Sequence, residues 1–221
     1  LRFLPSLAGA LLPVVIFLLA LQLKFRPQAA FITGLLVALE NALIVQTRYI
    51  LMDGFLLLFG FSALLFYFKY RNMKPGSAIS GSAKRVAHPE ILLLGMAVFG
   101  GLAISIKWTG LTFLALPFII EVWGCFTARS YKRFIKQSLA FFVVIPFIIY
   151  FSIFTLHFSL LTKPGPGDAY MSPAFRDKNI FGKFIELNKE MYSSNKRLTA
   201  THPYSSQWYT WPFMTRPIFY W

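Results

Sequence analysis

Residues 138–161 read SLAFFVVIPFIIYFSIFTLHFSLL and contain no Asp, Glu, Lys or Arg. A helix of about 20 apolar residues is long enough to cross the hydrocarbon core of a bilayer. Five further stretches share this apolar character, and the short second and fourth are expected to be tilted, broken or partly re-entrant. The predicted membrane spans are 3–23, 29–46, 49–68, 91–107, 108–127 and 138–161.

The composition of the whole chain agrees with this interpretation. Of 221 residues, 57% are apolar and 14% are charged, whereas a water-soluble domain carries about 25% charged residues. This excludes a soluble globular enzyme, a disordered chain and a disulfide scaffold. The one cysteine, Cys125, allows neither an intrachain disulfide nor a cysteine-based metal site. The predicted fold class is an all-α integral membrane protein, a polytopic helical bundle with about six transmembrane helices.

The distribution of Lys and Arg predicts the orientation of these spans. One side of the predicted topology holds eleven basic residues, and the short connections of the other side hold three. The richer side is cytoplasmic by the positive-inside rule. The two sets are Lys24, Arg26, Lys69, Arg71, Lys74, Lys84, Arg85, Arg129, Lys132, Arg133 and Lys136 against Arg2, Arg48 and Lys107. The net charge of +14 is therefore mainly an orientation signal, and no nucleic-acid partner is expected.

The same topology places residues 162–221 on the extracytoplasmic side. This segment opens with the turn sequence KPGPGD, and residues 174–193 carry apolar side chains at helical spacing among charged ones. That pattern predicts an amphipathic helix on the outer membrane face. The aromatic residues of 202–221 are typical of a membrane–water interface. The chain is thus divided into a transmembrane region, 1–161, and an extracytoplasmic loop, 162–221.

Ionisable residues at membrane depth are costly and point to functional sites. Arg48 and Asp53 have two interpretations. The structural one is a local ion pair or a snorkelling Arg at a helix boundary, and the functional one is one wall of an outward-facing polar cleft. Lys107, just before Trp108, is either an interfacial anchor or a contact for a lipid phosphate. The same two interpretations apply to Arg2. All of these cations lie at outer span ends, where an anionic headgroup would lie.

Other polar residues favour structural roles. Glu40 and Asn41 suggest a hydrogen-bonding pair between helices, while Glu121 and His157 are expected to be structural. The sequence contains no phosphate-binding glycine loop, HExxH or CxxC motif. None of its eight acidic residues is adjacent to another, so a catalytic carboxylate pair cannot be named.

Four segments resemble motifs of the protein O-mannosyltransferases that use a polyprenyl-phosphate mannose donor. They are QTRYILMD at 46–53, IKWTG at 106–110, GPGDAYMSP at 165–173 and HPYSSQWYTWP at 202–212. They occur in the family's order, and the last two are long and specific. Arg2 with the following Phe-Leu-Pro also resembles the opening of the family's second span.

The resemblance implies an inverting glycosyltransferase of the GT-C type. It would move mannose from the lipid phosphate to Ser or Thr hydroxyls of secreted polypeptides, on the extracytoplasmic face of the cell membrane. No cofactor or metal is implied beyond the lipid-linked sugar donor. Arg2, Arg48, Asp53 and Lys107 would form the donor-phosphate cleft. The acceptor side would be lined by Asp168, His202, Tyr204 and Trp208.

The family's general base comes from an Asp-Glu pair after its first span. That pair is expected upstream of Leu1, so this chain is interpreted as an internal fragment that is inactive by itself. Roughly thirty residues separate the third motif from the fourth. Eukaryotic members carry a β-trefoil MIR domain between them, so the resemblance implies a bacterial or archaeal form. Two alternatives remain: a GT-C enzyme with a lipid or glycan acceptor, and a non-catalytic multispanning membrane protein.

Overall fold

The computed structural model describes residues 2–49, 51–73, 89–128 and 138–199, together with residues 207, 209 and 210. Within these ranges the regular elements are all helical, with no β-strand. The chain divides into two compact units, residues 1–153 and 154–221, which are described separately. The predicted all-α fold class is confirmed.

The described part of the first unit is built from helices. They are α1 (Phe3–Gln22), α2 (Pro27–Leu39), α3 (Asn41–Arg48), α4 (Asp53–Asn72), α5 (Pro89–Ile106), α6 (Thr112–Ala128) and α7 (Ile145–Leu160). A 3-10 turn, Trp108–Leu111, precedes α6, and a π-helical turn, Leu139–Val144, precedes α7. The boundary between the two units falls within α7, after Ile153.

Five segments of the described chain are long and apolar enough to cross a membrane. They are Phe3–Gln22, Asp53–Asn72, Pro89–Ile106, Trp108–Phe126 and Leu139–Leu160. The pair α2 and α3 adds a sixth if it is counted as one bent span. This agrees with the predicted number of about six, and the chain is a multi-pass membrane protein.

The bend between α2 and α3 has a local cause. The axes differ by 51° around Glu40, whose backbone is extended with φ −70° and ψ 117°. The Glu40 carboxylate accepts a 2.7 Å hydrogen bond from the backbone N–H of Leu43 and so caps α3. An acidic cap satisfies an otherwise free donor at a helix start. Glu40 therefore serves its own helix, and the expected pairing between helices is wrong for this residue.

Polar contacts at both ends of α1 and α4 fix their relative direction. At one end, the Ser6 hydroxyl of α1 donates to the backbone oxygen of Thr47, six residues before α4 begins. At the other end, the Asn72 side chain donates to the backbone oxygen of Gln22 at 2.7 Å. The two helices are therefore parallel. The α4 helix begins at Asp53, not at 49 as predicted, because the backbone at Tyr49 is extended.

Helices α4, α5 and α6 enclose the core of the first unit. Its buried side chains are Ala63, Tyr67, Leu93, Met96 and Leu114. Small residues let these helices approach closely: a Cβ added at Gly60 would lie 2.3 Å from the Phe113 ring, and one at Gly95 would lie 2.7 Å from the Phe66 ring. Small residues at interfaces are typical of packed membrane helices. Many outward-facing side chains are large and apolar, as expected for surfaces in contact with lipid.

A polar cluster links α4 to α6 at the end of the bundle that the predicted topology places in the cytoplasm. The fully buried Tyr67 donates its hydroxyl to Glu121 at 2.8 Å. Arg71 donates to the Tyr67 hydroxyl at 3.3 Å and lies 3.8 Å from the Glu121 carboxylate. These contacts give Glu121 one hydrogen bond and one ion pair inside an apolar bundle, which agrees with its expected structural role.

Replacing Tyr67 by Phe is expected to lower the thermal midpoint of the purified protein by about 2–4 °C. The change leaves the shape of the side chain intact but removes the donor to Glu121, a loss of about 1 kcal/mol. The measurement is thermal unfolding in detergent, repeated in a Glu121→Gln background. A Tyr67→Phe effect of equal size in both backgrounds would show that the hydroxyl does not act through Glu121.

The second unit contains the end of α7, two 3-10 turns, Pro166–Tyr170 and Phe175–Asp177, and the helix α8 (Ile180–Arg197). Phe184 of α8 packs edge-on against Phe154 of α7, with ring centroids 5.8 Å apart. The Asn179 side chain accepts a 2.7 Å hydrogen bond from the Gly182 N–H and starts α8 there. The predicted amphipathic helix therefore exists, but it begins six residues later than residue 174 because residues 175–177 form a separate turn.

Candidate functional site

The first motif, 46–53, is held in place by Thr47. This residue is 7% exposed, and its hydroxyl donates to the backbone oxygen of Leu43 at 2.7 Å. A Cβ added at Gly9 of α1 would lie 2.7 Å from Thr47, and one at Gly54 of α4 would lie 2.9 Å away. Thr47 is thus wedged between two glycines, each on a neighbouring helix. This contact sets where Arg48 and Asp53 emerge at the end of the bundle.

The structure brings Asp53 and Lys107 together. The Lys107 ammonium nitrogen lies 3.5 Å from Asp53 Oδ1, although the two residues are 54 positions apart. Their side chains remain 59% and 39% exposed. Exposed ion pairs of this kind are weak, so a stronger anion can replace the carboxylate. The local pair between Arg48 and Asp53 is wrong as an alternative, since within the described ranges Asp53 pairs with Lys107 instead.

The second motif, 106–110, is a tight reversal between α5 and α6. The backbone of Lys107 is extended, and its carbonyl accepts a 2.8 Å hydrogen bond from the Gly110 N–H. A Cβ added at Gly110 would lie 2.5 Å from the backbone carbon and oxygen of Ala103, so the turn can close only around glycine. Trp108 Nε1 donates to the hydroxyl of the buried Tyr150 at 3.0 Å, which ties the turn to α7.

Arg2 and Arg48 lie at the same end of the bundle. Arg2 precedes α1, one turn before the Ser6 contact with Thr47, and Arg48 is the last residue of α3. Both side chains are exposed. Across the described part of the chain, neither forms an ion pair with a carboxylate. The cations Arg2, Arg48 and Lys107 and the acid Asp53 thus lie at one end of the first unit. Of these four, Lys107 and Asp53 form an ion pair.

In the second unit, Asp168 takes part in a turn organised by Arg176. The Arg176 guanidinium donates to Asp168 Oδ2 at 2.5 and 2.8 Å and to the backbone oxygens of Thr162 and Lys163 at 2.6 and 2.8 Å. The Arg176 guanidinium beside Asp168 holds the pKa of that carboxyl below its ordinary value. Asp168 therefore has a structural role, its pairing with Arg176, beside the acceptor-side role expected for it.

Glu186 of α8 fixes the other end of the third motif. Its carboxylate accepts a 2.7 Å hydrogen bond from the Ser172 backbone N–H and pairs with the Lys178 ammonium. Hydrogen bonds from Lys178 and from the Ser172 backbone lower the pKa of Glu186 to about 2. Arg176 and Glu186 together hold the motif in one conformation through side chains outside it.

The contact between Glu186 and the loop is expected to be lost only in strong acid. A carboxyl whose pKa is lowered by folding contributes stability above its ordinary pKa near 4.5, and this contribution disappears as pH falls toward about 2. Titration of ¹³C-labelled Glu carboxyls by NMR should therefore show one midpoint well below the others. The Glu186→Gln variant identifies that signal by its absence. A Glu186 midpoint near 4.5 would contradict the described pairing.

Three predicted site residues cannot be placed. His202, Tyr204 and Trp208 lie outside the described residues. Sequence reasoning also missed four residues that position the motifs: Thr47, Tyr150, Arg176 and Glu186. Thr47 lies inside a recognised motif, and Arg176 follows another by three positions, so both had a sequence signal. Tyr150 had none, because it is one aromatic residue among many in an apolar helix.

The described residues offer few other polar sites in the bundle. An open pocket of about 460 Å³ is lined by Glu90, Ile91, Leu94 and Phe141, near the opposite end of α5 from Lys107. Its one charged lining residue, Glu90, would repel a phosphate. Among the described residues, no group of three or more His, Cys, Asp or Glu side chains is arranged to hold a metal ion.

These observations define a multi-pass membrane protein in which residues of the first two motifs lie at one end of a helical bundle. Residues 1–162 match the profile of the dolichyl-phosphate-mannose-protein mannosyltransferases, and residues 180–221 match the C-terminal four-span region of protein O-mannosyltransferases. The chain belongs to the dolichyl-phosphate-mannose-protein mannosyltransferase family.

Individual relatives support this assignment. The chain is 35% identical to mouse protein O-mannosyl-transferase 1 over 80% of its own length and 24% of the relative. It is 32% identical to dolichyl-phosphate-mannose–protein mannosyltransferase 1 of Saccharomyces cerevisiae, over 79% of its length and 21% of the relative. The chain thus spans about a quarter of the length of the curated relatives it matches.

One solved structure has a similar fold. It is the S. cerevisiae protein O-mannosyltransferase Pmt1-Pmt2 complex bound to the sugar donor. The TM-score is 0.68 with 28% sequence identity, over 80% of this chain and 24% of the solved chain.

Proposed function

We propose that this chain forms part of a protein O-mannosyltransferase. The enzyme transfers mannose from a polyprenyl-phosphate donor to Ser or Thr hydroxyls of secreted polypeptides. The observation that carries the proposal is the partly exposed Lys107 ammonium, 3.5 Å from Asp53, in a motif shared with this family. Family membership and the names of the relatives support the substrate class.

The proposed reaction breaks the bond between the mannose anomeric carbon and the phosphate oxygen. The electron pair stays on the phosphate, and the anomeric carbon forms a new bond to the acceptor oxygen. A cation placed beside the leaving group stabilises the charge that develops there. Lys107 takes this role by exchanging Asp53 for the lipid phosphate, because an ammonium group binds phosphate as a point charge. Asp53 positions Lys107 when the donor is absent.

The acceptor hydroxyl must lose its proton to a general base. In the proposed enzyme the base is the family's Asp-Glu pair, which is not found at adjacent positions in this sequence. Arg2 and Arg48 lie at the same end of the bundle and add positive charge around the donor phosphate. Asp168, His202, Tyr204 and Trp208 belong to the acceptor side in this proposal. The reacting end faces the extracytoplasmic side of the cell membrane.

The test is transfer of radiolabelled mannose by the complete enzyme in lipid vesicles. The donor is polyprenyl-phosphate mannose and the acceptor is a Ser/Thr-rich peptide, with the same peptide carrying Ala at every Ser and Thr as the control. The expected result is label in the first peptide alone. Transfer to a lipid or glycan in preference to the peptide would contradict the proposed polypeptide acceptor. Failure to consume the donor would reject the proposed activity.

A further inference from the structure

We propose that one face of α8 docks on the anionic phospholipid surface of the bilayer that the spans cross. This face, here called the α8 stripe, consists of Ile185, Lys189, Tyr192 and Lys196. Successive members are four, three and four residues apart, so they lie along one side of the helix. All four are exposed, with Ile185 at 50% and Tyr192 at 61%.

The acids of α8 lie off the α8 stripe. Its two acids are both paired, Glu186 with Lys178 and Glu190 with Arg197. Each acid follows a stripe residue by one position and therefore points about 100° away from it. Within the described ranges, Lys189 and Lys196 form no ion pair. The stripe therefore presents unpaired positive charge between exposed apolar side chains.

The neighbours of α8 place it at the level of the membrane interface. Phe184, next to Ile185, contacts Phe154, which lies six residues before the end of α7 at Leu160. At 1.5 Å per residue, the contact is about 9 Å inside the end of a helix that qualifies as a membrane span. An amphipathic helix at a membrane surface buries its apolar face about 5–10 Å into the boundary between headgroups and acyl chains, which matches this depth. The loop held by Glu186 covers a different side of α8.

These features fit a lipid surface. Tyr side chains favour the membrane interface, and Lys side chains extend from their apolar stems to reach phosphate groups. Each lysine near an anionic surface should raise the partition of the helix onto that surface by about fivefold. The docking concerns the position of α8 alone and does not depend on whether the enzyme transfers mannose.

Fluorescence quenching in lipid nanodiscs tests the position of the stripe. In a Cys125→Ser background, a bimane label is attached at Ile185→Cys, at Tyr192→Cys, or at Ser194→Cys as the control. Ser194 is exposed and lies nine residues from Ile185, on the opposite side of α8. We expect brominated lipid to quench the two stripe labels and aqueous iodide to quench the control. Equal iodide quenching at all three positions would overturn the proposal. Because two stripe positions are labelled independently, misfolding of one variant does not decide the result.

The role of anionic lipid is tested by the headgroup. Phosphatidylcholine nanodiscs are compared with nanodiscs that also contain phosphatidylglycerol, using the label at Ile185→Cys. Phosphatidylglycerol should increase quenching by brominated lipid, and Lys189→Gln with Lys196→Gln should remove that increase. The matched control, Lys163→Gln with Lys183→Gln, changes the same amount of charge outside the stripe and should retain it. Two results would overturn the assignment of anionic lipid. One is loss of the phosphatidylglycerol-dependent increase in both double variants, and the other is absence of that increase in the unsubstituted chain.

Discussion

Replacing Lys107 by Ala in the complete enzyme is expected to lower the rate of mannosyl transfer by about 10²–10³-fold, the effect of removing one preorganised charge-stabilising group. The fold should persist, because the Lys107 side chain is 59% exposed and its ion pair with Asp53 is a surface pair of small energetic value. The measurement is single-turnover transfer from a saturating donor, with membrane insertion and protein amount determined in parallel.

The matched control for this variant is Lys69→Ala. Lys69 is an exposed cation on the same helix as Asp53, at the opposite end, and its replacement should leave the transfer rate unchanged. Near-normal transfer by the Lys107→Ala enzyme would reject the proposed phosphate contact. A loss in both variants would indicate a general effect of positive charge.

The variant Asp53→Asn separates positioning from phosphate binding. Since Asp53 holds Lys107 only until the donor binds, its replacement should reduce transfer far less than Lys107→Ala does. The double variant should then be no slower than Lys107→Ala alone, because contacting residues in one network are not additive. Additive losses would mean that Asp53 contacts the substrates directly.

Replacing Gly110 by Ala is expected to lower the thermal midpoint by about 2–10 °C and to reduce transfer as well. The new Cβ would lie 2.5 Å from backbone atoms of Ala103, which no side-chain rotation can relieve. Such overpacking costs about 1–3 kcal/mol, and the resulting backbone shift would move Lys107 away from Asp53. Both quantities are measured on the same purified sample.

Gly124→Ala is the control for this second variant. A Cβ added at Gly124 in α6 meets no atom within 4 Å, so the change should leave the thermal midpoint equal or slightly higher, as alanine favours a helix. A Gly110→Ala protein as stable and active as the Gly124→Ala protein would show that the α5–α6 turn tolerates displacement. Lys107 would then not require the described geometry.

The helical class of this protein follows from local sequence, because apolar stretches of span length have no other stable structure in a bilayer. The ion-pair partner of Asp53 could not be predicted from local sequence. Arg48 is five residues away and was the nearer candidate, yet packing of α4 beside α5 brings Lys107 to 3.5 Å. A partner 54 residues away is set by tertiary packing, which a single sequence does not reveal.

Three other residues make contacts that the sequence analysis did not predict. Glu40 was expected to pair with another helix, but a free N–H on its own next turn lies closer. Thr47 was part of a recognised motif, but its wedging between Gly9 and Gly54 depends on three helices meeting. Asp168 was assigned from its motif alone, and its Arg176 partner lies eight residues further along.

The two polar links from α4 imply an order of events during synthesis. Asp53 meets Lys107, and Tyr67 meets Glu121, and each pair is separated by 54 residues. At about 5–20 residues per second, each α4 residue waits roughly 3–11 s for its partner to leave the ribosome. Lys107 and Glu121 are 14 residues apart (121 − 107), so both links become available within about 1–3 s of each other. The two ends of the assembly of α4, α5 and α6 therefore become joined within a few seconds of each other.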